Sequence, residues 1–259
     1  MTRSLIPAHA RARFRTGLVT PTTGWCDGFA QANLISVPAD LAWDFLLFAQ
    51  RNPKPCPVLD VLDAGAVSGP LIDGDVRTDA PLYRVYTDGE LVAEPTDVTG
   101  WWREDLVTFL IGCSFTFERA LAEAGVPLRH IEQGVNVAMY RTSVRCREAG
   151  SVRGPMIVSM RPVPAVLVAE AVRVTAAYPA VHGAPVHIGE PRQIGITDLD
   201  APDYGDAVEF SPGDVPVFWA CGMTPQAVVV EIRPPLAIAH APGHMLITDA
   251  RDTDYRITV

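Results

Sequence analysis

Residues 215–249 carry three segments in a row: VPVFWACG (215–222), a stretch opening on Thr224-Pro225, and LAIAHAPGHMLITD (236–249). The outer two are apolar and bounded by turn residues, as strands are. Thr224 as N-cap with Pro225 at the first helical position starts a helix between them, because the N–H that proline lacks is one the first turn leaves unbonded anyway. Strand, helix, strand in that order predicts a βαβ unit and an α/β fold.

Working outward, PVHIG (185–189) reads as a further strand, and VNVAMYRTSV (135–144) and PMIVSMRPV (155–163) as two more, followed by a helix over 164–178 between Pro164 and Pro179. This β-β-α run predicts a smaller α+β unit, residues 128–179, inserted into a larger layered α/β domain made of 1–127 and 180–259. Upstream, YRVYTDGELVAE (83–94) is a hairpin signal around Asp88-Gly89. Thr99 to Ala124 reads as a helix or helix pair, interrupted at Ile111–Phe115 and ended by Gly125 and Pro127. PADLAWDFLLFAQ (38–50) reads as an amphipathic helix. Arg3, Arg11, Arg13 and Arg15 precede any acidic residue, a faint likeness to a transit peptide, although Pro7–Arg13 more simply starts a short basic helix.

With 259 residues and 48% hydrophobic composition the chain buries a large core, and a formal charge of −9 repels nucleic acid and anionic lipid. A small anionic substrate must then be held by local arginines. No segment approaches the roughly 20 apolar residues of a membrane span. Cys26, Cys56, Cys113, Cys146 and Cys221 are scattered, odd in number and free of CxxC, which argues for a reducing cytoplasm and against a disulfide framework. Homo-oligomerisation stays open.

Lys54 is the single lysine beside 20 arginines and lies in Arg51-Asn52-Pro53-Lys54-Pro55-Cys56-Pro57. An ammonium is compact and shifts its pKa readily on burial, so lysine kept here points to a base or a carboxylate anchor presented by a proline-stiffened loop. The alternative is one lysine surviving on a solvated loop.

Four of the six histidines fall in His182-Gly183-Ala184-Pro185-Val186-His187 and His240-Ala241-Pro242-Gly243-His244, both at expected strand ends. Pro242 and Gly243 disfavour the helix that would let His240 and His244 share a metal, so acid–base imidazoles are the better reading and no metal or other cofactor is expected. Cys221 stands at a strand-to-helix turn where backbone N–H groups are free, and Cys113-Ser114 beside Gly112 is a second such turn. Arg141 and Arg161 end strand-like runs and suit a bidentate carboxylate clamp. Asp75, Arg77 and Asp79 alternate along an extended segment, which suits an ion-pair network. P-loop, GxGxxG and HExxH motifs are absent.

The phrases GFAQANLISVP (28–38), DFLLFAQRNPKPCPVLDVL (44–62), DVRTDAPLYRVYTDGEL (75–91), FLIGCSFTFE (109–118), YPAVHGAPVHIG (178–189), VPVFWACGMTPQ (215–226) and HAPGHMLITD (240–249), with MYRTSV, VSMRPVP and DYGD, closely resemble the D-glutamate cyclase family. The resemblance runs from about Gly28 to Asp249. It implies an α/β fold with a larger and a smaller domain, and a lyase that removes water, as in conversion of D-glutamate to 5-oxo-D-proline. Such chemistry calls for a base, an acid and oxyanion donors. His240 and His244, partnered by His182 or His187, are the expected acid and base. Arg51, Arg141 and Arg161 form the expected clamp with Lys54 as clamp or base, and the turns at Ser114 and Thr224 supply donors. Covalent catalysis by Cys221 is the runner-up. Two further readings stand beside this one: a non-catalytic small-carboxylate binding or regulatory protein, and a hydro-lyase acting on another hydroxy or amino acid.

Overall fold

The computed structural model describes residues 4–258, so Arg3 of the basic N-terminus lies outside the described residues. The strands are β1 (Phe29–Pro38), β2 (Val58–Leu62), β3 (Tyr83–Thr87), β4 (Glu90–Ala93), β5 (Leu106–Gly112), β6 (Ala138–Arg145), β7 (Pro155–Pro164), β8 (His187–Ile188), β9 (Asp214–Ala220), β10 (Ala237–His240) and β11 (Leu246–Arg251). The helices are α1 (Pro7–Arg15), α2 (Ala39–Arg51), α3 (Glu118–Glu123), α4 (Arg129–Gln133), α5 (Val168–Ala176) and α6 (Thr224–Ile232). Helices and strands mix as an α/β chain requires, in two sheets. The larger runs β2-β5-β1-β10-β3-β4, with β11 beside the start of β1, and the smaller runs β6-β7-β9-β8.

Each strand pairing among the described residues is antiparallel, and β9 and β10 stand in different sheets. The predicted βαβ unit is therefore not formed: α6 carries the chain from one sheet to the other, and the apolar stretch at 236–249 breaks at Pro242-Gly243 into two strands that both pair with β1. Residues 128–179 supply β6 and β7 of the smaller sheet, while its other two strands come from 187–220.

The centre of the larger sheet is the pair β1–β5, in register from Ala32↔Gly112 to Pro38↔Leu106. Residues 106–112 were expected inside a helix. LVTFLIG is a short continuous apolar run, and periodicity cannot distinguish a doubly buried strand from a buried helix in so few residues. β1 escapes recognition for a related reason. Its even residues Ala32 and Leu34 join the core beneath the 63–82 loops, while Ile35 and Val37 pack against α2 and α6, so both faces are buried. Its polar residues are absorbed individually: Ser36 Oγ meets Thr108 Oγ1 across the ladder at 2.7 Å, and Asn33 Nδ2 donates to Gly112 O at 2.7 Å.

Alternation along β7 sets up the site. Val158 and Met160 face a core closed by Ile196 and Val208, while Ile157 and Val163 turn to the opposite face, and Ser159 and Arg161 share their parity. A small core of Cys113, Val137, Met139, Ile157, Cys221 and Met245 fills the junction of the two sheets.

Several expected elements form. Asp88 and Gly89 take φ of 50° and 77°, the two positive values of the tightest hairpin turn, between β3 and β4. α1 starts at Pro7 and buries Ala10, Arg11 and Phe14. Asp79, fully buried, holds Arg15 at 2.5 Å, and Asp75 pairs with Arg77 at 2.7 Å, so the DVRTD segment is an ion-pair network. The five cysteines are buried and carry no disulfide, and no described helix is long and apolar enough to cross a membrane.

Candidate active site

Asn33 of β1, Ser114 after β5, Ser159 of β7, Cys221 after β9 and His240 of β10 converge on a narrow, closed cleft with about 10 Å³ of free space, walled by Phe115, Met139, Met223 and Met245. The approach of the sheets is tight. A Cβ on Gly222 would stand 2.0 Å from Asn33 Nδ2, and one on Gly243 2.3 Å from Asn136 Nδ2, so side chains at either position would push the walls apart.

Arg161 is the charged centre beneath the cleft. It is 1% exposed and lies 5.4 Å from the Trp219 ring and 5.6 Å from that of Phe117. Its guanidinium donates to Glu118 Oε1 from Nε at 3.1 Å and from Nη2 at 2.5 Å, to Ser114 Oγ at 3.0 Å and to Ser159 Oγ at 3.2 Å. Burial pushes the Glu118 carboxyl up, but His130, 3.1 Å away, and Arg161 outweigh it and bring it down to about 2. The pair is thus ionised. Both serines accept from the guanidinium and donate to no protein group among the described residues, which leaves two polarised O–H donors at the cleft wall. Arg161 was expected to clamp a substrate carboxylate directly. Four of its N–H bonds are instead spent on protein, two of them on the serine hydroxyls.

His240 is 1% exposed, and its ring completes the larger sheet. β1 pairs with β11 through Ala32 and with β10 from Ile35, and at Leu34 between them His240 Nδ1 stands 3.1 Å from both the backbone N and O. Nε2 is buried with no partner. Burial lowers its pKa to about 4, so the ring is neutral at pH 7. If Nδ1 donates to Leu34 O, Nε2 is a free base; if Nδ1 accepts from Leu34 N–H, Nε2 carries the proton.

Cys221 lies in the cleft, but burial pushes its thiol up to about 11, and burial raises Cys113 as well. Both stay protonated at neutral pH, which removes the thiolate that covalent catalysis needs. Thr224 is turned away: its Oγ1 donates to Cys221 O at 2.8 Å and accepts from Ile157 N at 3.0 Å, bracing the turn rather than facing a ligand.

The remaining expected residues do not line the cleft. Lys54 is exposed, and its ammonium is held by the carbonyls of His182, at 3.3 Å, and Ala184, while desolvation lowers its pKa. His182 returns the clasp, with Nδ1 2.7 Å from Lys54 O. This corner leans on the turn that carries Ser114, since a Cβ on Gly112 would meet Ala180 O at 2.3 Å. His187 sits 2.8 Å from Glu190 O against the Phe218 ring. His244, half-buried, lies 2.9 Å from Pro242 O. Arg51 and Arg141 are exposed, the first on Glu148 O and the second 3.8 Å from Glu231.

Asn33, Glu118 and His130 were missed. Glu118 closes the segment FLIGCSFTFE, within the stretch 99–124 read as a helix or helix pair, and was assigned no role there. Among the described residues no group of three or more His, Cys, Asp or Glu is arranged to hold a metal ion.

The cleft thus brings the neutral His240 imidazole together with two hydroxyls that are hydrogen-bonded to a buried ion pair. The model of the D-glutamate cyclase family matches residues 107–249, a span that includes Ser114, Glu118, Ser159, Arg161, Cys221 and His240. Over 97% of this chain and 96% of its own length, a "Putative hydro-lyase" of Mycolicibacterium gilvum is 65% identical. One of the same name from Saccharopolyspora erythraea is 66% identical over 97% of this chain and 99% of its own, and one from Corynebacterium glutamicum 61% over 99% and 100%. The chain belongs to the D-glutamate cyclase family.

Proposed function

We propose that the protein is a hydro-lyase that converts a small acidic amino acid, D-glutamate, to its lactam 5-oxo-D-proline and water. The observation that carries this is the buried, unpartnered Nε2 of His240 in the same cleft as the Ser114 and Ser159 hydroxyls.

In the reaction the α-nitrogen forms a bond to the γ-carboxyl carbon and one C–O bond breaks. Two protons leave the ammonium, and the departing oxygen takes up two, so the sum is lactam plus water. A carboxylate is a poor electrophile until its charge is offset. Ser114 and Ser159, drained of electron density by Arg161, donate to its oxygens and to the tetrahedral oxyanion that follows. His240 Nε2 takes the ammonium proton as base and returns it to the leaving oxygen as acid, a role open to a ring that is neutral at pH 7. The ionised Glu118 keeps Arg161 in place.

The test is incubation of the purified protein with D-glutamate, L-glutamate and related amino and hydroxy acids, without nucleotide and with a chelator present, followed by NMR for 5-oxoproline. Turnover of D-glutamate is expected. Binding of these acids without turnover would instead identify a carboxylate-binding protein.

A further inference from the structure

Asn33 lines the cleft but takes no part in the reaction described so far. It is 4% exposed and stands opposite Ile111 of β5, with its amide against the turn that leads into α6: a Cβ on Gly222 would meet Nδ2 at 2.0 Å and Oδ1 at 2.6 Å. Nδ2 donates to Gly112 O at 2.7 Å and reaches Ile111 O at 3.4 Å. An oxygen in its place would face two carbonyl oxygens, so these acceptors fix which way the amide points. Oδ1 is the end left over, and it accepts from no N–H or O–H among the described residues.

The polar groups of the cleft sort by what they can give. The hydroxyls of Ser114 and Ser159 accept from Arg161 and have their own protons to donate, so they suit a carboxylate. His240 Nε2 exchanges a proton. Asn33 Oδ1 is an acceptor that does not titrate. The free space of about 10 Å³ is at the lower limit for one water. Met139, Met223 and Met245, unbranched and able to re-pack, are the walls that yield to a ligand. An N–H brought into so dry a place needs a protein acceptor, because a buried donor left unpaired carries its full desolvation penalty.

We propose that Asn33 is the specificity-determining residue for the amino group of the substrate, its Oδ1 accepting from the α-nitrogen while His240 Nε2 takes the proton. The proposal rests on the amino-acid lyase reading and sharpens it: the cleft selects acids that carry an N–H donor over dicarboxylates that lack one. A neutral amide suits the step better than a carboxylate would. A carboxylate favours the charged ammonium, which has no lone pair for attack, whereas an amide accepts from the free amine as well.

The test compares D-glutamate with glutarate, which has the same two carboxylates and no amine. Affinities are read by calorimetry in the His240→Gln background, where turnover is suppressed. D-glutamate should bind roughly 10- to 100-fold more tightly than glutarate, the worth of a hydrogen bond to a charged group. Adding Asn33→Leu should erase that preference by weakening D-glutamate, and should leave glutarate within about twofold. Asn33→Asp also removes the Nδ2 donor but keeps an acceptor, so the preference should be retained. With His240 restored, its kcat should fall while KM holds, because the carboxylate keeps the nitrogen protonated. Both variants lose the amide bond to Gly112 O, so a purely structural role would treat the two variants, and the two acids, alike. Equal affinities for the two acids with Asn33 intact would overturn the proposal whether or not either variant folds. So would an Asn33→Leu protein that binds both acids equally more weakly, or both unchanged. D-glutamate turnover with equal affinities sinks the role of Asn33 alone. A clear preference for D-glutamate without any 5-oxoproline sinks the lyase reading and leaves the amine site standing.

Discussion

His240 and His182 carry the same chemical signature in two different places. Each is 1% exposed, each has Nδ1 tied to backbone and Nε2 without a partner, and burial lowers each to about 4. One faces a cleft with two polarised hydroxyls, and the other closes a corner whose lysine is occupied by carbonyls. A depressed pKa reports burial. Only geometry separates an acid–base group from a packed ring.

The sharpest way to break this contrast is paired replacement. His240→Gln should lower turnover by roughly 10²–10⁴-fold, the span expected for a lost general acid–base, while His182→Gln acts on stability and leaves most of the activity. Steady-state kinetics on both variants settles the matter, and equal losses would erase the distinction drawn here.

Arg161→Met tests the charge beneath the cleft. It leaves the Glu118 carboxylate buried without its main partner and should cost about 3–5 kcal/mol in urea unfolding. Replacing both partners together, Arg161→Met with Glu118→Leu, should recover much of that stability but none of the turnover.

Acid should expose the two rings together. Each folded pKa lies below the ordinary value near 6.5, so the stability they contribute is complete above about pH 6.5 and is lost as pH falls toward 4. From pH 7 to 5 each ring should cost about 2 kcal/mol, seen as a falling urea midpoint. Glu118, also depressed, adds its loss below about pH 4.5. Removing either ring should flatten the upper part of the curve.

Ser114→Ala and Ser159→Ala should each reduce turnover about 10- to 100-fold, the lower range for an oxyanion donor because a second hydroxyl remains, and should cost about 1–3 kcal/mol of stability because each leaves a buried Arg161 N–H without its acceptor. The smallest effect belongs to Lys54. Lys54→Ala should cost about 1 kcal/mol through two lost carbonyl contacts, and its turnover should fall far less than that of His240→Gln. A collapse of kcat in both Lys54→Ala and Lys54→Arg would restore the lysine to the chemistry.

Legibility from sequence followed locality. The Asp88-Gly89 hairpin, the helix starts at Pro7 and Pro225 and the strands β6, β7 and β9 announce themselves through turn chemistry and short-range pattern, although the N-cap before Pro225 is Met223 and not the expected Thr224, which is already the first helical residue. β1 and β5 do not, because a strand buried on both faces shows no alternation. Their loss hid Asn33 and Glu118, which matter only through partners far along the chain. Among the candidates, Ser114, Arg161, Cys221 and His240 were singled out from strand ends and turns and meet at the cleft; the donor and acid–base roles expected of Ser114 and His240 are those proposed for them, whereas the direct clamp expected of Arg161 and the nucleophile considered in Cys221 are not.

By itself the sequence determined the family, through long motifs spread over the chain, and the residue types available for chemistry. Which of them meet was decided by tertiary structure alone. Ser114 and Arg161 are 47 residues apart and Leu34 and His240 are 206, and nothing in local propensity records that the first pair shares a hydrogen bond or that the second fills a gap in a sheet. Uniqueness drew attention to Lys54, yet burial and partners are properties of the folded chain, and they set its ammonium on two carbonyls outside the cleft.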